Sequence, residues 1–306
     1  MARATPVFPP PCQALQEIVR TALAEDLSDG DITSNLLIDH SFQAKARIIA
    51  KQPMVLAGVL VALEAFDQVD SSLRSIVHTK DGQWVSKATP VITITGSAHS
   101  LLQGERVALN FLQRLSGIST LTHRCCQAIK GSPTILTDTR KTTPGLRILE
   151  KWAVRLGGGH NHRSSLHDGV LIKDNHLAIL KAHHIGITQA CLQAKARAPH
   201  GLKISVEVEN LQQVNQALLG KADIILLDNM SPSNVTQAIA KIRGRAITEV
   251  SGGVTLDNLQ TMASAHPDFI SIGALTHSAP AMDFTMEIFP LPHKPRSTKP
   301  QRASNS

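Results

Sequence analysis

From Thr134 onward the chain repeats one unit: a short apolar run, a polar or glycine-rich turn, then a stretch with helical periodicity. The runs occupy 134–137, 170–172, 203–208, 223–227, 246–250 and 269–272. Helical stretches fall at 146–156, 187–196, 211–219, 234–242 and 256–263. Strands joined by helical crossovers pair in parallel, so these units predict a parallel sheet with helices against it. Six or seven units suggest a barrel or near-barrel, and periodicity alone leaves a doubly wound open sheet as the alternative.

The first third is mixed. Residues 13–25 put Leu15, Ile18, Val19, Ala22 and Leu23 at amphipathic-helix spacing. Residues 25–33 (EDLSDGDIT) read as a turn-rich acidic loop, and 44–50, 73–79 and 90–96 as strands. Residues 97–129 turn helical, with a break expected at Ser116-Gly117. The opening 1–11, with three prolines in a row, reads as a loose leader rather than a targeting segment. No apolar run has the length of a membrane span. Cys12, Cys125, Cys126 and Cys191 form no CxxC pair, so they read as four buried small side chains in a reducing cytoplasm.

A formal charge of +7 invites a nucleic-acid reading, but 290–306 holds Lys294, Arg296, Lys299 and Arg302 without an acid. That segment is expected to be a disordered basic tail. The chain has no tyrosine and only 3% aromatics, which leaves few platforms on which bases stack. An anionic small substrate accounts better for the remaining excess.

Polar residues fall at one end of the predicted strands. Asp138-Thr139-Arg140-Lys141 follows the first run, and Lys173-Asp174-Asn175-His176 the second. The third carries Glu207 and Glu209, and the fourth ends at Asp228-Asn229. Ser251-Gly252-Gly253 follows the fifth, Gly273-Ala274 the sixth. In a parallel βα array those carboxyl ends converge on one face, where ligands bind. The two glycine turns are candidate phosphate cradles, since glycine admits an anion close to backbone N–H groups at a helix start.

Arg140, Lys141, Arg163 and Lys173 sit in loops or at strand ends, and such a cation density fits a substrate with several negative charges. Arg147, Lys151 and Arg155 recur at helical spacing and read as a solvated face. His160, His162 and His167 lack an acidic or cysteine partner at ligand spacing, so no zinc site is expected. His162 reads instead as a donor to a carboxylate. Glu207 and Asp228 suit a developing oxocarbenium charge, ribose hydroxyls, or Mg²⁺ held through water. Glu209 shares the side of Glu207 on a regular strand, and its role stays open.

These motifs together resemble quinolinate phosphoribosyltransferase, the decarboxylating nicotinate-nucleotide pyrophosphorylase family of NAD biosynthesis. The likeness covers 15–284 through 25–33, 105–119 (ERVALNFLQRLSGIS), 138–145 (DTRKTTPG), 157–163 (GGGHNHR), 171–176 (LIKDNH), 206–209 (VEVE), 223–230 (DIILLDNM), 251–254 (SGGV) and 271–277 (SIGALTH). It implies an α/β fold: a C-terminal incomplete α/β (TIM-like) barrel over 116–277, with an N-terminal α/β sandwich-like domain over 1–115 joined by 278–289. It further implies a cytoplasmic glycosyltransferase, a homodimer or higher homo-oligomer with shared active sites, using Mg²⁺ and no organic cofactor, with neither nucleic acid nor membrane as partner.

By the same resemblance Arg106 reaches into a partner's site. Arg140, His162, Arg163 and Lys173 hold the two quinolinate carboxylates, with Thr139 beside them. Lys141, Glu207 and Asp228 address phosphoribosyl pyrophosphate and its Mg²⁺. Ser251, Gly252, Gly253, Gly273 and Ala274 bind the 5-phosphate near His277. The run 223–233 lacks the paired acids of the other major phosphoribosyltransferase class, because Asn229 follows Asp228. Rival readings are a related transferase acting on nicotinate or another heteroaromatic acid, and a non-enzymatic barrel that senses a phosphorylated metabolite.

Overall fold

The computed structural model of the chain describes residues 6–292; positions 1–5 and 293–306, which hold part of the expected leader and most of the expected tail, lie outside the described residues. The elements run, in order, α1 (Cys12–Leu27), α2 (Ile32–Leu37), β1 (Gln43–Ala50), β2 (Met54–Val55), α3 (Val59–Val69), β3 (Arg74–Val77), β4 (Trp84–Val85), β5 (Pro90–Ser97) and α4 (Ala98–Ala128). There follow β6 (Ile135–Thr137), α5 (Arg147–Leu156), β7 (Val170–Ile172), α6 (Asp174–Ala182), α7 (Ile187–Arg197), β8 (Ile204–Val208) and α8 (Leu211–Leu219). The chain finishes with β9 (Ile224–Asp228), α9 (Pro232–Ile242), β10 (Ile247–Ser251), α10 (Leu256–Ala263), β11 (Phe269–Ser271), α11 (Ala274–His277) and β12 (Phe284–Pro290).

The N-terminal part is an antiparallel sheet in the order β12-β1-β5-β3. Alternation in β1 buries Ala44, Ala46, Ile48 and Ala50, as period-two patterning requires. The buried stripe of α1 is Leu15, Val19 and Leu23. Part of the expected acidic loop is helical instead: α1 runs on to Leu27, and Asp31 caps α2 by accepting from Ser34 N at 2.9 Å. Asp81 does the same for α3, accepting from Val59 N at 2.9 Å. β12 closes the sheet by pairing along β1 from Ala44↔Pro290 to Ala50↔Phe284, so Pro290 ends a strand rather than beginning a tail.

Helix α4 joins the two parts without the break expected at Ser116-Gly117. Both residues are wholly or nearly buried, and their small size serves packing rather than termination. A Cβ on Gly117 would collide with the Pro280 carbonyl, so only glycine lets the segment before β12 cross the helix here. The Ser116 hydroxyl accepts from Ala57 N and donates to Ala57 O, both at 3.0 Å, tying α4 to the chain after β2. Leu112, Leu115 and Ile118 anchor this seam at 0–1% exposure; truncating one to alanine costs about 2–5 kcal/mol.

The C-terminal part is a parallel sheet in the order β6-β11-β10-β9-β8-β7 with helical crossovers, the barrel alternative rather than a doubly wound sheet. Its two edge strands are not paired with each other, so the barrel is incomplete. The stretch before β7 lies beside β6 instead: Thr137 bridges His160 in parallel, and His160 N donates to Leu136 O at 2.8 Å. Register sets Asp228 beside Ser251 and Ser271 beside Thr137 at the carboxyl ends.

Candidate active site

The carboxyl ends of this sheet surround a cavity of about 650 Å³. Thr139, Arg140, Lys141, His162, Arg163, Lys173, Glu207, Asp228, Ser251, Gly252, Gly253, Gly273, Ala274 and His277 all line it. The geometry thus brings six strand ends and the 160–163 stretch together in one place.

Asp138 organises the entrance from β6. It is fully buried, and its Oδ1 accepts from Lys151 Nζ at 2.5 Å and from His162 N at 2.8 Å. Its Oδ2 accepts from Asn161 Nδ2 at 2.6 Å, while Lys151 Nζ also donates to His162 O at 2.8 Å. Burial drives Asp138 up and Lys151 down from their usual values, and their mutual attraction offsets part of both shifts. The expected solvated face of α5 is therefore corrected. Lys151 is 5% exposed, Arg147 donates to Thr142 and Ser164, and Arg155 donates to Gly159 O. Helical spacing was right, but the loops at 142–146 and 157–164 wrap this face of α5.

Beyond Asp138, the cavity wall carries two arginines. Arg163 Nη1 donates to Gly169 O at 2.8 Å, and the Arg140 Nε is buried without a hydrogen-bond partner. Burial, then repulsion from Arg140, holds Arg163 below its usual value. Two guanidinium groups set against each other form an arrangement that a carboxylate relieves, since each offers a planar fork of donors.

Acids line the same cavity. Glu207 Oε1 accepts from Lys173 Nζ at 2.7 Å, and Asp228 Oδ2 accepts from Asn229 Nδ2 at 2.8 Å. Among the described residues no group of three or more His, Cys, Asp or Glu side chains stands ready to hold a metal ion. Two carboxylates with one oxygen already on a lysine are too few for a protein-built cage. They do fit a Mg²⁺ ion that keeps water and takes most of its ligands from a pyrophosphate.

The glycine turns form a cradle in the same wall. Gly252 adopts φ +82°, and a Cβ there would collide with Asn229 Oδ1, so the turn after β10 requires glycine. Asn229, itself at φ +52°, donates its N–H to Ser251 O at 2.9 Å and so locks the two neighbouring turns. Thr255 and Asn258 form a capping box at the start of α10, whose first N–H groups lie beside this turn. Gly273 packs against Lys141 and His277, and Thr276 Oγ1 donates to Lys141 O at 2.7 Å.

Two residues singled out in the sequence lie elsewhere. Arg106, exposed on α4, lines a separate cavity of about 510 Å³ with Glu25, Asp26 and Arg114. Glu209 falls just past β8 and is exposed in a side pocket shared with Glu207 and Asp228. The cavity also holds Glu249 and Thr255, which sequence reasoning did not select, and Asp174 and Asn229, which it set on the rim without a role. Glu249 had a signal: an acid inside an otherwise apolar strand run. The cysteine reading holds for Cys125 and Cys191, which are buried; Cys126 is half-buried and Cys12 exposed, ahead of the buried stripe of α1.

Comparison with known proteins agrees along nearly the whole chain. Residues 31–116 match the model of the quinolinate phosphoribosyl transferase N-terminal domain and 118–287 that of its C-terminal domain. A probable nicotinate-nucleotide pyrophosphorylase [carboxylating] of Bacillus subtilis is 39% identical over 274 residues, covering 90% of this chain and 93% of its own length. The counterpart in Synechocystis is 42% identical over 283 residues, covering 91% and 94%. The solved nicotinate-nucleotide pyrophosphorylase of Francisella tularensis superposes with a TM-score of 0.87 at 37% identity, over 93% of this chain and 99% of that one.

Proposed function

The chain belongs to the quinolinate phosphoribosyltransferase family, and from that premise we propose that it joins quinolinate to 5-phosphoribosyl 1-pyrophosphate, releasing pyrophosphate and carbon dioxide to give nicotinate mononucleotide for NAD biosynthesis. One observation carries the reading. A single cavity at the carboxyl ends of the six strands is lined by two arginines, the Glu207 and Asp228 carboxylates and two glycine turns, the groups that the carboxylates, ribose and phosphates of the joined substrates require.

In this reading Arg140, His162, Arg163 and Lys173 surround the pyridine carboxylates, with Thr139 at the edge. The 251–253 turn, Gly273 and Ala274 hold the 5-phosphate through backbone N–H groups, with His277 beside them. Lys141, Glu207 and Asp228 face the ribose and its leaving group. As the C1–oxygen bond to pyrophosphate breaks, the two carboxylates offset positive charge developing on the ribose, and the pyridine nitrogen bonds to C1. The ring is then a pyridinium. When the C2 carboxylate leaves as carbon dioxide, the electron pair stays on C2, held by the adjacent charged nitrogen, and takes a proton from water. No organic cofactor enters, because the ring is its own electron sink. Mg²⁺ arriving with the sugar pyrophosphate would neutralise the departing charge, with Glu207 and Asp228 holding it through water.

The same reading makes the working unit a homodimer with shared sites. Arg106 is exposed away from its own cavity, and Ile32, Leu36 and Leu37 on α2 are 71%, 76% and 72% exposed, an apolar face suited to a second copy. A cytoplasmic location fits four free thiols.

Incubating the purified chain with quinolinate, the sugar pyrophosphate and Mg²⁺, and following nicotinate mononucleotide and released carbon dioxide, tests the proposal. Turnover of nicotinate without gas release would replace it with the rival transferase. Ligand binding without any turnover would favour a sensor.

A further inference from the structure

We propose that Glu249 is a positioning residue for His162, holding its ring with the Nε2 proton turned toward a buried carboxylate in the barrel interior. Glu249 lies in β10 at 4% exposure and borders both the main cavity and a second one of about 520 Å³ beneath the 161–171 stretch. A buried carboxylate oxygen is costly unless a donor meets it. Glu249 Oε1 is buried without a hydrogen-bond partner, and His162 Nε2 stands 3.5 Å from it.

The tautomer follows from the other side of the ring. Arg163 N donates to His162 Nδ1 at 2.9 Å, so that nitrogen keeps its lone pair and a neutral ring carries its proton on Nε2. The N–H therefore faces Glu249, and closing the gap by about half an ångström makes an ordinary hydrogen bond. Such contacts tighten when a ligand fills a site. The main chain of His162 is already fixed, its N–H on Asp138 and its carbonyl on Lys151. Glu249 supplies the tie that the ring edge lacks. A flipped ring would put carbon against the Arg163 N–H. Held as it is, His162 turns a fixed C–H edge to the cavity and shapes the wall beside Arg163, while Arg140, Arg163 and Lys173 supply the donors a carboxylate needs.

The kinetic part of the test rests on the quinolinate reading; the spectroscopic part does not. In the full chain, Glu249→Met removes the acceptor, whereas Glu249→Gln keeps one. The methionine variant is expected to raise KM for quinolinate about tenfold or more. Its KM for the sugar pyrophosphate stays within about twofold, and the glutamine variant within about threefold of the parent in both, since it still offers an oxygen to Nε2–H. Nitrogen-15 spectra of labelled histidines, assigned with His162→Gln, should show Nδ1 bare and Nε2 protonated in the parent. In Glu249→Met the tautomer should hold, because Arg163 N still meets Nδ1, while the Nε2 signal shifts as its proton loses the carboxylate. A protonated Nδ1 in the parent, an unchanged KM for quinolinate in the methionine variant, or equal rises in both KM values would overturn the proposal. Should the parent fail to turn over quinolinate, or the methionine variant fail to fold, the parent spectra and the glutamine variant still decide it.

Discussion

The two ends of the parallel sheet use the same residue types in opposite ways. At the amino ends, acids are tied into the backbone. Asp223 accepts from Ile204 N at 2.9 Å and from Lys195 Nζ at 2.6 Å, and Asp268 accepts from Thr248 N at 2.8 Å and its hydroxyl at 2.7 Å. At the carboxyl ends, Glu207, Asp228 and Glu249 face a cavity with one lysine, one asparagine and one histidine as neighbours. Carboxylates at one end clamp neighbouring strands; at the other Glu207 and Asp228 remain available to a ligand. Asp138 is the exception, a carboxyl-end acid wholly taken up by Lys151, Asn161 and His162.

That exception gives the largest expected effect. Asp138→Ala leaves Lys151 buried without its counter-charge and is expected to cost about 3–5 kcal/mol in denaturant unfolding. It should also lower activity, because His162 and Arg163 lose their anchor. A variant as stable as the parent would remove Asp138 from the structural side of the comparison. Next, Glu207→Ala or Asp228→Ala should lower kcat by about 100-fold or more while the melting temperature stays within about 2 °C. Melting far below that, with turnover retained, would put these acids with the clamps.

Smaller effects belong to the amino ends. Asp268→Ala leaves the Thr248 N–H unpaired, for about 1–3 kcal/mol, with kcat and KM intact. A changed KM would mean that the two ends are coupled. The smallest effect concerns pH. Although burial works against it, Lys195 and the Ile204 N–H hold Asp223 below the usual carboxylate value. A depressed folded value stabilises the protein above the unfolded pKa, and that gain is lost as pH falls through the folded one. Both partners are partly exposed, so the gain is under about 1 kcal/mol. Asp223→Asn should flatten only this acid limb of a stability-versus-pH curve.

Much of this contrast was legible in the chain, because strand direction and the residue after each apolar run are both linear properties. Thr139 to Lys141, Lys173, Asp228 and 251–253 could be placed on one rim by counting along the sequence. What lies on the far side of a helix could not. Lys151 sits among Arg147 and Arg155 at a spacing indistinguishable from a wet surface, and only the fold back of 160–163 reveals its partner. Ser116-Gly117 carries the local signature of a stop, yet its meaning comes from Pro280, far along the chain. Glu249 lay inside an apolar run whose pattern says which residues turn inward, without showing that inward here means toward a cavity.

The pairing of β12 with β1 also bears on how the protein is made. A ribosome emits β1, β5 and β3 early, but the strand that covers the outer edge of β1 emerges after the entire barrel. Until then that edge presents bare amide groups, open to a strand from another nascent chain. Synthesis halted before Phe284 would therefore yield a barrel next to an adhesive, unfinished sheet, and late truncations should aggregate rather than accumulate as a trimmed enzyme.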